Sequence, residues 1–249
     1  MGNPILSARD SRYGLTPDVL VSDSSVHPFL SEVLTQIKSA EPTAVCVEAP
    51  DLHMSLGEIF FSPSGRKGKL SSQQVREFYR TVRDSISDFN PINLSLFGII
   101  PALDPVWAGH DKQSVSIIAA FLPNDSSAIY KLTDEIHDAA QRVREKNHLG
   151  VEGPRVGPRK VLLVTLARLM REPRKIGEKF PILSLLNKIN TEIPQESYLI
   201  LREVNIVSTT PVNYVLPKGY VTLAPQIPLS KSERSIGEPT YLRPYKVGK

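Results

Sequence analysis

Leu52-His53-Met54-Ser55-Leu56 alternates apolar and polar residues with the period of a β-strand. His53 and Ser55 point to one side of such a strand, and Leu52, Met54 and Leu56 to the other. The apolar side can enter a core while the polar side lines a groove. About 110 residues later the chain repeats the shape in Leu162-Leu163-Val164-Thr165-Leu166. Thr165 there matches Ser55, but Leu163 stands where a second histidine would correspond to His53.

Outward from these strands the chain alternates helices and strands imprecisely. Val26, Phe29, Leu30, Val33, Leu34 and Ile37 recur at helical spacing, with Ser25 placed to cap and Pro28 tolerated in the first turn. A short β-like run, Ala44 to Glu48, precedes the His53 strand, which is expected to run to Phe61. Ser71 and Gln74 have the spacing of a capping box for a helix from Ser72 to Ser87. Strands are expected over Ile92 to Ile100, Ser114 to Leu122, Val161 to Leu169, Tyr198 to Val207 and Tyr220 to Ile227. Asn124-Asp125-Ser126 opens a long helix reaching Lys146, and Phe180 to Ile193 reads as a further helix. Residues 1–24 read as a polar arm with a short edge element near Val19-Leu20-Val21, 25–229 as the folded domain, and 230–249 as a polar tail.

This order implies an α+β fold with mixed or antiparallel sheets. It excludes a doubly wound parallel sheet, because no Gly-rich dinucleotide fingerprint follows an early strand. Helix, proline-bearing connection and hydroxyl-bearing strand occur in 26–61 and again in 125–169, a coarse internal repeat. The loop Pro63-Ser64-Gly65-Arg66-Lys67-Gly68-Lys69 is basic but lacks the ending of a P-loop, so it reads as an exposed loop.

The chain has 249 residues, 41% of them hydrophobic, enough to bury a core. Its net charge of +4 permits an anionic ligand without requiring one. Cys46 is the single cysteine, which leaves no internal disulfide and no thiolate metal site and suits a reducing compartment. No apolar run approaches the roughly 18 residues of a membrane span. No basic-then-apolar leader opens the sequence. A soluble, cytoplasmic protein is expected.

Asp51-Leu52-His53-Met54-Ser55-Leu56 resembles the first motif of the two-histidine (2H) phosphoesterases, His-x-Thr/Ser-x with apolar flanks. Val164-Thr165-Leu166-Ala167-Arg168 resembles the second motif of the bacterial RNA-ligase-like members, which often read His-x-Thr-Leu-Ala-Arg. The similarity extends over residues 26–229. It implies a bilobed fold, two pseudo-symmetric lobes with flanking helices around a central groove, that acts on 2′,3′-cyclic phosphates, 2′–5′ linkages or related phosphodiesters without metal or other cofactor. Two imidazoles would exchange protons with the attacking and leaving oxygens. Two hydroxyls would donate to the phosphate oxygens.

Carried over by position, His53 is the acid/base candidate, and Ser55 and Thr165 are the phosphate-binding hydroxyls. Leu163 is the degenerate position, since leucine neither transfers a proton nor donates a hydrogen bond. Loss of one general acid or base costs about 10²–10⁴-fold in rate. The expected partner is therefore a nucleotide or RNA phosphodiester. It would be cleaved weakly through His53 or bound without turnover by an inactive relative; a partner protein in the same groove is the further alternative. Arg159, His110 and His148 are the candidates to replace the missing histidine, and Trp107 and Tyr214 to stack on a base. Arg168 and Lys160 are expected to project away from Thr165. Read without the family, His53 is an ordinary polar-face residue, and Ser55 and Thr165 are common strand residues.

Overall fold

A computed structural model describes residues 13–21, 24–57, 59–62, 70–103, 113–149, 161–171, 181–209, 221–230 and 240–241. In chain order these form β1 (Tyr13–Leu20), α1 (His27–Ala40), β2 (Val45–Cys46), β3 (His53–Ser55) and β4 (Phe60–Ser62). Then follow α2 (Ser72–Ser85), β5 (Ile92–Leu103), β6 (Gln113–Pro123), α3 (Ser126–Lys146) and β7 (Leu162–Arg171). The last elements are α4 (Pro181–Thr191), β8 (Tyr198–Leu201), β9 (Glu203–Thr209), β10 (Val221–Pro228) and β11 (Thr240–Tyr241).

The strands make one antiparallel sheet in the order β11-β10-β9-β1-β3-β7-β6-β5-β8, with β2 beside β7 and β4 beside β1. Its two halves, β10-β9-β1-β3 and β7-β6-β5-β8, meet at the rung Met54↔Val164. Helix α1 connects β1 to its sheet neighbour β3, and α3 connects β6 to its sheet neighbour β7, so each motif strand is reached through a helix from the strand beside it. Helices α1 and α4 pack on each other, on β7 and on β5, while α2 and α3 pack together against β10 and β6. Leu15, Val19, Met54, Val164 and Ile206 project from one sheet face into a single core with the helical stripes. The opposite face, which carries His53, is left as the inner wall of a strongly curled half-barrel.

One junction enforces the curl. The sequence suggests a single strand from Tyr198 to Val207, but the chain breaks it at Arg202. Before the break β8 pairs with β5 at one end of the sheet; after it β9 pairs with β1 in the other half. Leu201 and Glu203 are two residues apart and can be separated by at most about 7 Å. A flat sheet of this order would hold them several strand spacings apart, so it must bend round until the end of β8 comes close to the start of β9.

The expected edge element near Val19 is instead an interior strand. β1 pairs with β3 and β4 on one side and β9 on the other. Pro17 within β1 interrupts only the ladder: its carbonyl accepts from Leu56 N at 2.9 Å, and with no N–H it returns nothing. The neighbouring strand parts there, ending as β3 and resuming as β4. Gly57 takes φ 141 between them, a conformation closed to residues with a Cβ. The single strand expected through Phe61 is thereby two.

Helix starts follow their local chemistry. In α2 the Ser71 hydroxyl accepts from Gln74 N at 3.2 Å and the Gln74 carboxamide accepts from Ser71 N at 2.8 Å, a complete capping box. Asp125 caps α3 by accepting from Ser127 N and Ala128 N. Ser25 does not cap α1. Val26 holds the cap position, and the Ser25 hydroxyl lies 2.8 and 2.9 Å from the carbonyl oxygens of Glu196 and Tyr198, fastening the helix to β8. At the free edge of β5 beyond β8, the Asn190 carboxamide accepts from Ile99 N at 2.7 Å and donates to Ile99 O at 2.9 Å, replacing a neighbouring strand. The half-buried Cys46 pairs with Ala167; burial raises its thiol pKa, as befits an unreactive side chain. No helix among the described residues is long and apolar enough to cross a membrane.

Candidate phosphate-binding site

The rung Met54↔Val164 sets the geometry. Both side chains are fully buried on the core face. Stepping one residue either way along the antiparallel pair puts His53 opposite Thr165 and Ser55 opposite Leu163, all four half-buried on the inner face. Directly opposed residues have Cβ atoms about 4.5–5.5 Å apart, so the two motifs share one small patch. His53 Nδ1 lies 2.8 Å from the Asp51 carbonyl oxygen, in the short turn Ala49–Asp51 that leads into β3. A carbonyl only accepts, so Nδ1 carries the hydrogen and the neutral ring has its lone pair on Nε2. This one contact thus fixes both ring orientation and tautomer.

Ser55 has a partner that sequence reasoning missed. Its hydroxyl donates to Asp18 Oδ1 at 2.8 Å, and Asp18 is directly opposite in β1. Asp18 is only 2% exposed. Burial raises its carboxyl pKa, against the lowering effects of the neighbouring His53 and of the Ser55 hydrogen bond. On the far side of Asp18, β9 supplies Asn205. Asn205 is also buried, and its amide nitrogen and oxygen have no hydrogen-bond partner among the described residues. Asp18 was hidden because it lay within a segment read as a polar arm. The signal was the alternation Leu15, Pro17, Val19 against Thr16, Asp18, Leu20.

The second half of the inner face is different in character. Leu163 sits between Ser55 and Ala120, and Thr165 between His53 and Ile118. Further across, Leu122, Ile100 and Tyr198 occupy the same face by register and are exposed. β5 carries an extra residue here: Gly98 pairs with Ala120, and Phe97 beside it has no partner in the ladder and is 68% exposed. This face carries Thr16, Asp18, Asn205, His53 and Ser55 on the β1, β3 and β9 side, and on the β5, β6 and β8 side it is largely apolar apart from Ser95 and Ser116.

Arg168 corrects an expectation. Plain alternation sends it away from Thr165, but a register shift leaves Leu166 as an extra residue in β7. Beyond it Arg168 opposes Ser116, on the face of Thr165, and is buried. The other candidates divide between two outcomes. His148 closes α3 with φ 51 and is exposed there, not on the sheet. His137 lies on α3, and His27 Nε2 bonds the Ala49 carbonyl. Among the described histidines only His53 is on the inner face. His110, Trp107, Arg159, Lys160 and Tyr214 lie outside the described residues, as does the loop 63–69. No group of three or more His, Cys, Asp or Glu side chains among the described residues could hold a metal ion.

No protein family defined by sequence matches the chain, and no curated protein is similar to it in sequence. Solved structures are similar in fold. TT0787 of Thermus thermophilus superposes with a TM-score of 0.51 at 10% identity, over 89% of this chain and 100% of its own. E. coli LigT, in structures complexed with 3′-AMP and with ATP, gives TM-scores of 0.42 and 0.43 at 9% and 10% identity, over 93% of this chain and 94% of LigT. With its antiparallel half-barrel, its paired motif strands and this overlap with TT0787, the chain has the fold of the 2H phosphoesterases.

Proposed function

We propose that the chain is a 2H phosphoesterase-like protein that binds a cyclic phosphate or an RNA or oligonucleotide phosphodiester in the inner groove. It acts on this ligand through His53, at a rate held down by Leu163. The observation that carries the reading is His53 with its tautomer fixed by Asp51 O, directly across the central rung from Thr165. In this reading Nε2 takes the proton of the attacking oxygen. The Thr165 and Ser55 hydroxyls donate to the non-bridging phosphate oxygens. Leu163 offers no proton, so the leaving oxygen draws its own from water, and one of the two acid–base contributions is lost. The net charge of +4 favours the anionic ligand.

The test is hydrolysis of 2′,3′-cyclic nucleotides and 2′–5′ oligoadenylate by the purified chain beside His53→Ala. Slow turnover that the substitution removes supports the proposal; turnover that it leaves unchanged sinks it. Leu163 also favours a second reading, binding without turnover. That reading requires binding that weakens as salt rises, with no product formed.

A further inference from the structure

A hydroxyl has one hydrogen, and that of Ser55 is already given to Asp18 Oδ1 at 2.8 Å. While Asp18 is an anion, Ser55 therefore has nothing to donate to a phosphate, and a buried negative charge stands one strand from the place where another would bind. We propose that Asp18 is a positioning residue that admits the anion only with a proton, its carboxyl turning from acceptor to donor so that the Ser55 hydroxyl is released to the phosphate. This rests on the phosphodiester reading above and adds a regulation to that site.

The exchange balances simply. One proton from solvent goes to the Asp18 carboxylate. The carboxylic acid then donates to Ser55 Oγ, and the Ser55 hydrogen swings to a non-bridging phosphate oxygen. No bond to phosphorus changes. The surroundings of Asp18 suit a carboxyl that takes up a proton: it is 2% exposed, and burial disfavours its charged form. Among the described residues the charged groups around it are few. His53 faces it from β3, and β9 opposes it with the neutral Asn205 and presents Glu203 farther along the same face. Asn205, buried without a partner, also leaves polar atoms beside the carboxyl that no described group satisfies.

The probe is adenosine 2′,3′-cyclic phosphorothioate, a phosphodiester analogue that keeps one negative charge across the range used and resists hydrolysis. Its affinity is measured by calorimetry from pH 5 to 9. Titrations in buffers of different ionisation enthalpy count the protons taken up. For the wild-type chain, affinity should fall up to tenfold per pH unit above the Asp18 titration, the slope of a one-proton linkage. Asp18→Asn should bind without that slope and take up close to one proton fewer. Equal proton uptake by the two proteins, or a wild-type affinity flat from pH 5 to 9, overturns the proposal. His53→Ala removes the neighbouring imidazole and serves if Asp18→Asn does not fold. Uptake that survives it belongs to Asp18, and uptake lost with it belongs to His53 and overturns the assignment. Absence of binding by the wild-type chain overturns the phosphodiester reading itself, and this inference with it.

Discussion

Leu163→His puts an imidazole where the second motif lacks one. Leu163 lies on the inner face between Ser55 and Ala120, half-buried, and next but one along β7 to Thr165. Only part of its side chain leaves water, so the exchange costs the fold on the order of 1 kcal/mol. The kinetic gain is larger. A positioned acid or base contributes about 10²–10⁴-fold, equivalent to about 2.7–5.4 kcal/mol of barrier. The assay is kcat/KM on a 2′,3′-cyclic nucleotide across pH. The variant should exceed the wild-type chain by about 10²-fold or more. It should also acquire a bell-shaped profile, because one imidazole must then be neutral and the other charged. A folded variant with no rise refutes the reasoning. So does a rise that persists when His53→Ala is added, since activity independent of His53 would not come from a pair.

Three further outcomes follow from the packing. Met54→Ala removes one side of the rung that joins the two halves; full burial predicts a loss of about 2–5 kcal/mol in urea unfolding, and a loss below about 1 kcal/mol would mean that the rung is not the joint. Asn190→Ala strips both hydrogen bonds from Ile99 and should cost about 1–3 kcal/mol, with concentration-dependent self-association in sedimentation as the β5 edge opens. Asp18 has a raised folded-state pKa, so its contribution to stability is fully present below the unfolded value of 3.8 and is lost as pH rises through the folded value. Asp18→Asn should accordingly raise the melting temperature near pH 8, with the gain vanishing towards pH 4; a gain of equal size at both pH values contradicts the burial argument.

The helices and the two motif strands were legible because their signals are local. Ser71 and Gln74 are three residues apart and meet within one turn. The alternation around His53 and Thr165 gives each strand its faces without reference to the other. What escaped was register. Nothing near Arg202 says that the strands on its two sides belong to different halves of the sheet, because that depends on partners about a hundred residues away or more. Arg168 was sent to the wrong face because one extra residue in β7 reverses every later side chain. Asp18 and Asn205 lie nearly two hundred residues apart, and only the β1–β9 pairing makes them neighbours.

The junction at Arg202 also orders assembly. The half containing β5, β6, β7 and β8 is built from residues 92–201, mostly by neighbours in sequence. The half containing His53 is begun by β1, near the start of the chain, and finished by β9 and β10, near its end. Joining them closes a loop of nearly two hundred residues, the kind of contact that slows folding. On a ribosome, β1 would wait with one edge open until residues 203–209 had emerged. The histidine-bearing half is thus the first to be synthesised and the last to be completed.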